Sequence, residues 1–172
     1  MGSGIDITHP MQRTLFALGV PILLSACSSG VETRVVSAGI TPLSSQTYTI
    51  PAADYVSADL KTAHGLAQNA LTSRGFTFAD TASVHLQVTV DSRDAALALG
   101  SATGPQSLSP AKRRKPFQSC ADKEFRVGIT LTRVADGSEL YRSRVAEYHC
   151  KMPLADALPD LVAAALDDLG QP

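Results

Sequence analysis

Residues 124–150 read EFRVGITLTRVADGSELYRSRVAEYHC, two alternating segments joined by a short turn. The turn, Ala-Asp-Gly at 135–137, suits a type I turn followed by a glycine bulge, so the segment predicts a β-hairpin. The predicted pairs are Val134 with Ser138, Leu131 with Tyr141, Ile129 with Ser143, and Val127 with Val145. In this register one face is apolar and the other carries arginine and threonine. A shift of one residue would mix the two faces, so the register has a physical basis.

Further elements lie on the N-terminal side of this hairpin. Residues 46–52 and 84–91 alternate in polarity and predict two more strands. Ser57 suits the N-cap of an amphipathic helix that ends at Gly75. Residues 94–119 are rich in Gly, Ser, Pro and basic residues and lack alternation. We expect a mobile loop there, in which the segment DAALALG allows a short helical turn.

A second amphipathic helix follows the hairpin, with its leucines on one stripe between Leu154 and Leu169. Pro159 is awkward inside a helix, so we expect a first turn that ends near Ala157 and a main helix that begins at Pro159. The order of elements predicts an α+β fold. We expect a two-layer sandwich of a mainly antiparallel four-stranded sheet with two amphipathic helices on one face.

The first 26 residues have the features of a secretory signal. The apolar run 15–24 follows Arg13 and contains Pro21. It is about half the roughly 20 residues that a membrane-spanning helix needs. A basic residue, a short apolar centre and small residues after it are typical of a signal peptide. We expect translation to start at Met11, or the first ten residues to be a dispensable extension.

The signal ends in Leu24-Ser25-Ala26-Cys27, which resembles the lipobox of bacterial lipoproteins. The resemblance implies cleavage before Cys27, a diacylglycerol on its thiol and an acyl chain on the new amine. It also implies a membrane anchor, with Ser28 favouring the outer membrane. Residues 27–45 would then be a lipidated tether, in which the alternation around Val35 allows a short strand, and 46–172 a single periplasmic domain. A secreted protein without lipid remains the alternative.

The composition narrows the remaining possibilities. If Cys27 is acylated, Cys120 and Cys150 are left as a pair, and both lie near the open end of the hairpin. We expect a disulfide between them in an oxidising periplasm, with free thiols as the alternative. A net charge of −1 gives no overall attraction to nucleic acid, and the absence of tryptophan removes one means of stacking on sugars or bases.

No residue pattern for catalysis is recognised. His64, His85 and His149 show no metal-ligand spacing, and we expect them at the surface or at its boundary. Neither a G-x-S-x-G turn nor a glycine-rich phosphate loop occurs. We therefore predict no enzyme activity, no metal site and no cofactor besides the lipid on Cys27.

Basic residues are the best candidates for binding. We predict an anionic-ligand surface composed of Lys112, Arg113, Arg114, Lys115, Arg126, Arg142 and Arg144. Anionic lipid head groups, lipopolysaccharide phosphates and peptidoglycan carboxylates are the available ligands near such an anchor. A solvated loop beside an ordinary polar sheet face is the alternative.

The segments LTSRGFTFADTASVHLQVTV (71–90), VGITLTRVADGSELYRSRV (127–145) and LPDLVAAALDDL (158–169) resemble the "domain of unknown function 4136" group of small bacterial lipoproteins. The resemblance covers most of 48–172. This chain departs from the pattern in having Tyr141 where a tryptophan is frequent, and in its second and third cysteines. The resemblance implies an envelope lipoprotein and provides no catalytic residues.

Together these features predict a lipid-anchored outer-membrane lipoprotein that faces the periplasm and has a structural, assembly or binding role. We expect an envelope protein or an anionic polymer as its partner, and no nucleic acid. An accessory subunit of a lipid or lipopolysaccharide transport system is the second hypothesis. A periplasmic hydrolase is the third.

Overall fold

The computed structural model describes residues 33–39, 46–51, 57–101, 104–109 and 111–169. The signal, Cys27 and most of the tether lie outside these residues. The strands are β1 (Thr33–Gly39), β2 (Thr47–Thr49), β3 (Thr77–Phe78), β4 (Val84–Asp94), β5 (Leu99–Ser101), β6 (Gly104–Ser109), β7 (Lys123–Arg133) and β8 (Glu139–His149). The helices are α1 (Ala58–Ser73), between β2 and β3, and α2 (Leu154–Ala165), after β8. None of the described helices is long and apolar enough to cross a membrane.

The chain has the predicted α+β fold, but its main sheet has six strands in the order β1-β8-β7-β4-β2-β3. The prediction of four mainly antiparallel strands was therefore wrong in detail. The short strand β2 runs parallel to the short strand β3 and to the long strand β4. Helix α1 provides the connection that the parallel pairing of β2 with β3 requires. At the other edge, β1 pairs along its whole length with β8, so residues assigned to the tether belong to the sheet.

The hairpin of β7 and β8 confirms most of the predicted register. Val127 lies opposite Val145, and Leu131 lies opposite Tyr141. Gly137 has a positive φ of 70°, as the glycine-bulge turn requires. An irregularity after Leu131 shifts the last pairs by one residue, so Arg133 rather than Val134 bonds to Ser138.

The core lies between one face of the sheet and the two helices. Leu86 of β4, Ile129 of β7 and Val145 of β8 are almost completely buried on this inner face. From the helices, Leu71 of α1 and Leu161 of α2 pack into the same cluster. Apolar residues at every second position of a strand and along one stripe of a helix thus form one continuous core.

The predicted boundaries of α1 are confirmed. The Ser57 side chain accepts a hydrogen bond from the Leu60 amide at 3.1 Å, which satisfies an amide at the first turn of the helix. After the helix, Gly75 has a φ of 85°, a left-handed conformation that glycine adopts without steric cost.

Helix α2 differs from its prediction, because it runs unbroken from Leu154 through Pro159. The predicted break near Ala157 was wrong. Leu158 and Leu161 flank the proline and are completely buried, and their packing holds the helix together across it. Pro159 still lacks the amide that would bond one turn back.

Pro159→Ala is expected to raise the free energy of unfolding by about 1–3 kcal/mol, because alanine restores that bond and position 159 is exposed. Thermal unfolding measures the change. Pro153→Ala is the matched control, because Pro153 is the N-cap, where no intrahelical bond is lost, and its midpoint is expected to stay close to that of the parent chain. An unchanged or lower midpoint for Pro159→Ala would contradict the prediction.

The segment 94–119 contains more regular structure than a loop. Strands β5 and β6 pair in a small two-stranded sheet, and no helix forms at the segment DAALALG. The chain then returns to the main sheet through residues 111–122, which we call the return loop.

Candidate functional site

The outer face of the main sheet, opposite the two helices, carries the polar side chains of the hairpin. In register, Arg126, Gly128 and Thr130 of β7 lie beside Ala146, Arg144 and Arg142 of β8. Gly128 has a structural role here, because a Cβ at this position would lie 2.5 Å from the Thr89 hydroxyl. The Arg144 side chain passes 3.9 Å from the same point. The centre of the outer face is thus flat, with exposed arginines along β8.

The return loop is held against one end of this face. The Ala95 amide donates to the Asp122 carbonyl at 3.0 Å, and the Lys112 amide donates to the Ala95 carbonyl at 2.7 Å. The Lys112 ammonium lies 4.1 Å from the centre of the Tyr148 ring and 3.5 Å from the Asp122 carboxylate. A cation over an aromatic face is stabilising, so Lys112 fastens the loop to β8.

A cluster of buried charges lies at the same end. Glu124 is completely buried, and it occupies the outer-face position between Arg93 of β4 and Tyr148 of β8. Its carboxylate pairs with the guanidinium of Arg93 and, at 2.8 Å, with that of Arg126. Arg126 also lies 4.0 Å from Asp91. Two arginines therefore compensate one carboxylate that has lost its water.

The return loop is also joined covalently to the sheet. Cys120 and Cys150 form a disulfide with their Cα atoms 5.6 Å apart. The register explains the proximity, because Lys123 lies opposite His149 in the last pair of the hairpin, and both cysteines lie just beyond that pair. The sequence placed both cysteines at this open end of the hairpin.

The structure separates the predicted basic surface into two groups. Lys112, Arg126 and Arg142 have carboxylate partners, the last in Glu139. In the part of the chain that the structure describes, the other four form no ion pair: Arg113, Arg114, Lys115 and Arg144, all exposed. The first three of these lie on the return loop and Arg144 lies at the centre of the outer face. The predicted surface therefore contains both ion-paired and unpaired cations, and its binding of an anionic ligand stays a prediction.

Two of the three histidines are buried, which corrects the prediction of surface positions. His64 is 5% exposed on α1, and burial lowers its pKa. His149 is 8% exposed on the inner face, where its Nε2 lies 2.9 Å from the Glu147 carboxylate and its ring stacks on Phe125. The alternation of β8 places position 149 on the inner face, and this pattern could have predicted the burial of His149.

The pair of Glu147 and His149 has two of the three groups of a catalytic triad. The Thr33 hydroxyl donates to the second oxygen of Glu147 at 2.9 Å, so the carboxylate orients both neighbours. A hydrolase also needs a nucleophile on the histidine. Among the described residues, no serine or cysteine side chain is bonded to His149. Nor do three His, Cys, Asp or Glu side chains of that part of the chain form a metal-binding group.

The exposure and the backbone conformation of Phe117, in the return loop, were not predicted from the sequence. Phe117 is fully exposed and has a positive φ of 63°, an uncommon conformation for a bulky residue. Its neighbours hold the turn, since the Lys115 amide donates to the Gln118 side chain at 3.0 Å and the Arg114 guanidinium donates to the Gln118 carbonyl at 2.6 Å. An aromatic residue two positions after a basic run, with Pro116 between them, was the available signal.

Comparison with known proteins shows similarity of fold alone. No family model and no curated protein matches the chain, so the resemblance to the domain of unknown function 4136 stays a prediction. Two crystal forms of the PelC dodecamer from Paraburkholderia phytofirmans have a similar fold. One has a TM-score of 0.52 at 15% identity and the other 0.51 at 16%, and each covers 81% of this chain and 98% of the PelC chain. A PDZ domain protein from Parabacteroides distasonis has a TM-score of 0.49 at 12% identity, with 80% of this chain and 36% of that chain covered.

Proposed function

We propose that the chain is a lipoprotein of the bacterial cell envelope, anchored in the outer membrane through Cys27 and exposed to the periplasm. The observation that carries the proposal is the sequence Leu-Ser-Ala-Cys directly behind a signal-like apolar run. The disulfide of Cys120 and Cys150 supports it in two ways. Structural disulfides belong to oxidising compartments such as the periplasm, and this one leaves Cys27 as the odd cysteine.

The role that we propose is structural, assembling or binding, and non-catalytic. The histidine–carboxylate pair of Glu147 and His149 is buried on the inner face, where the His149 ring stacks on Phe125. The exposed side chains that could bind a ligand instead lie on the outer face and the return loop, where Arg113, Lys115 and Arg144 are accessible. Exposed cations on a rigid sheet bind anionic groups without reacting with them.

Cys27→Ser is expected to abolish metabolic labelling of the chain with palmitate, because serine cannot form the thioether that carries the diacylglycerol. The matched control is the double variant Cys120→Ser/Cys150→Ser, which keeps the acylation site and is expected to keep its label. Labelling of the Cys27→Ser chain at the level of the parent would overturn the anchor.

The second candidate is an accessory lipoprotein of a lipid or lipopolysaccharide transport system, which the exposed cations of the return loop favour. An assembly role has a structural precedent in the PelC dodecamer, whose subunits share the fold. Chemical crosslinking in the intact envelope separates the two roles. Self-assembly predicts products at multiples of the chain's own mass, whereas a transport accessory predicts a product with a different protein.

A further inference from the structure

The end of the domain that carries the return loop is also the end closest in sequence to the proposed lipid. Strand β1 begins at Thr33, opposite Glu147, and β8 ends two residues later at His149. Cys27 precedes Thr33 by only six residues. Six extended residues span at most about 21 Å, so the lipid confines this end of the sheet to the vicinity of the bilayer. This step rests on the anchor proposed above.

The same end presents cations that have no carboxylate partner among the described residues. Arg113 and Lys115 are exposed on the return loop, which Lys112 and the disulfide fix to β8. Exposed acidic side chains at this end, Asp94 and Asp156, lie on β4 and α2 and not on the loop. The return loop itself contains one acidic residue, Asp122, and its charge is matched by Lys112.

Exposed apolar side chains accompany these cations. Phe117 is fully exposed at the tip of the turn, and Leu97 and Met152, both close in sequence to this end, are 59% and 45% exposed. The hydrogen bonds of Gln118 with Arg114 and Lys115 hold the turn in the conformation that directs Phe117 outward. An aromatic residue beside basic ones is typical of segments that lie in a membrane interface, with the ring at the acyl boundary and the cations at the phosphates.

We propose that the return loop is a second membrane contact, in which Arg113 and Lys115 bind phosphate groups of anionic phospholipids and Phe117 inserts between head groups. One lipidated residue and one basic aromatic patch then act together. A soluble anionic polymer fits these residues less well, because it would leave the Phe117 ring in water.

The test uses residues 27–172 with Cys27→Ser, which lacks the lipid and keeps every described residue. The chain contains no tryptophan, so Phe117→Trp introduces a single fluorophore at the tip. Adding vesicles of phosphatidylglycerol and phosphatidylcholine is expected to shift its emission to the blue, and vesicles of phosphatidylcholine alone are not. The matched control is Val134→Trp at the hairpin turn, the opposite end of β7, where Val134 is 49% exposed. Its emission is expected to stay unchanged.

Removal of the two cations measures how much they contribute to vesicle binding. In the Phe117→Trp background, Arg113→Gln/Lys115→Gln is expected to weaken vesicle binding about thirtyfold, since each basic residue near an anionic surface contributes about 1 kcal/mol. Arg74→Gln/Arg133→Gln removes two cations near the hairpin turn and is expected to leave binding unchanged. A blue shift of equal size with both tryptophan variants or both lipids would overturn the proposal. So would binding to polyphosphate with no shift on vesicles.

This experiment is separate from the test of the anchor, because its chain carries no lipid. Loss of the vesicle response refutes the membrane contact and leaves palmitate labelling at Cys27 as it was. Failure of the labelling refutes the anchor, and the vesicle response then still reports an anionic-lipid surface.

Discussion

Cys120→Ser/Cys150→Ser is expected to lower the free energy of unfolding by about 3–4 kcal/mol. The disulfide joins residues 30 apart in sequence and so restricts a long stretch of the unfolded chain. It also joins the return loop to the end of β8. Without the disulfide, the return loop keeps the cation–ring contact of Lys112 with Tyr148 and the backbone hydrogen bonds to Ala95.

Chemical denaturation with and without reductant measures this effect. Reductant is expected to lower the stability of the parent chain to that of the double serine variant, and to leave the variant unchanged. The comparison removes any contribution from the serines themselves. Non-reducing peptide mass spectrometry is expected to find Cys120 joined to Cys150. Two free thiols in the purified protein, or a parent chain insensitive to reductant, would contradict the prediction.

The elements with strong periodicity could be predicted from the sequence. The Asp136-Gly137 turn and the alternation of β7 and β8 determine which residues share a face, and the structure has that register over most of its length. The N-cap at Ser57 was equally local, since a hydroxyl that accepts an amide three residues later depends on neighbouring residues alone.

Elements that depend on distant partners could not be predicted. The alternation around Val35 indicated a short strand, but not its place in the sheet, which depends on the unpaired edge that β8 offers. Helix α2 continues through Pro159 because Leu158 and Leu161 are buried against the sheet, and tertiary packing exceeds the local cost of proline there.

The candidate site shows the same division. The basic residues could be identified in the sequence, but only the structure shows which of them form ion pairs with carboxylates. Glu124 falls on the polar face of β7 in any alternation pattern, and that pattern predicts a solvated carboxylate. It is completely buried between Arg93 and Tyr148, at the end of the face where the return loop is fastened. No local signal in the sequence indicates that this position of β7 is buried.

Glu124→Gln is expected to lower the free energy of unfolding by about 3–5 kcal/mol. The substitution keeps the size of the side chain but removes the charge that Arg93 and Arg126 share. The Arg93 side chain is only 8% exposed, so its guanidinium would remain largely desolvated without a counter-charge. Breaking a buried ion pair on one side costs this much because the partner's desolvation is left uncompensated.

The matched control is Glu139→Gln, which removes the carboxylate of an exposed pair on the same sheet face. Glu139 is 36% exposed and Arg142 is 47% exposed, and exposed pairs contribute about 0–1 kcal/mol. Urea denaturation of both variants measures the difference. The double variant Glu124→Leu/Arg93→Met separates charge from packing, because a buried pair replaced by apolar side chains of similar volume is expected to recover most of the loss. Equal, small losses for Glu124→Gln and Glu139→Gln would mean that water reaches Glu124 and would contradict the prediction.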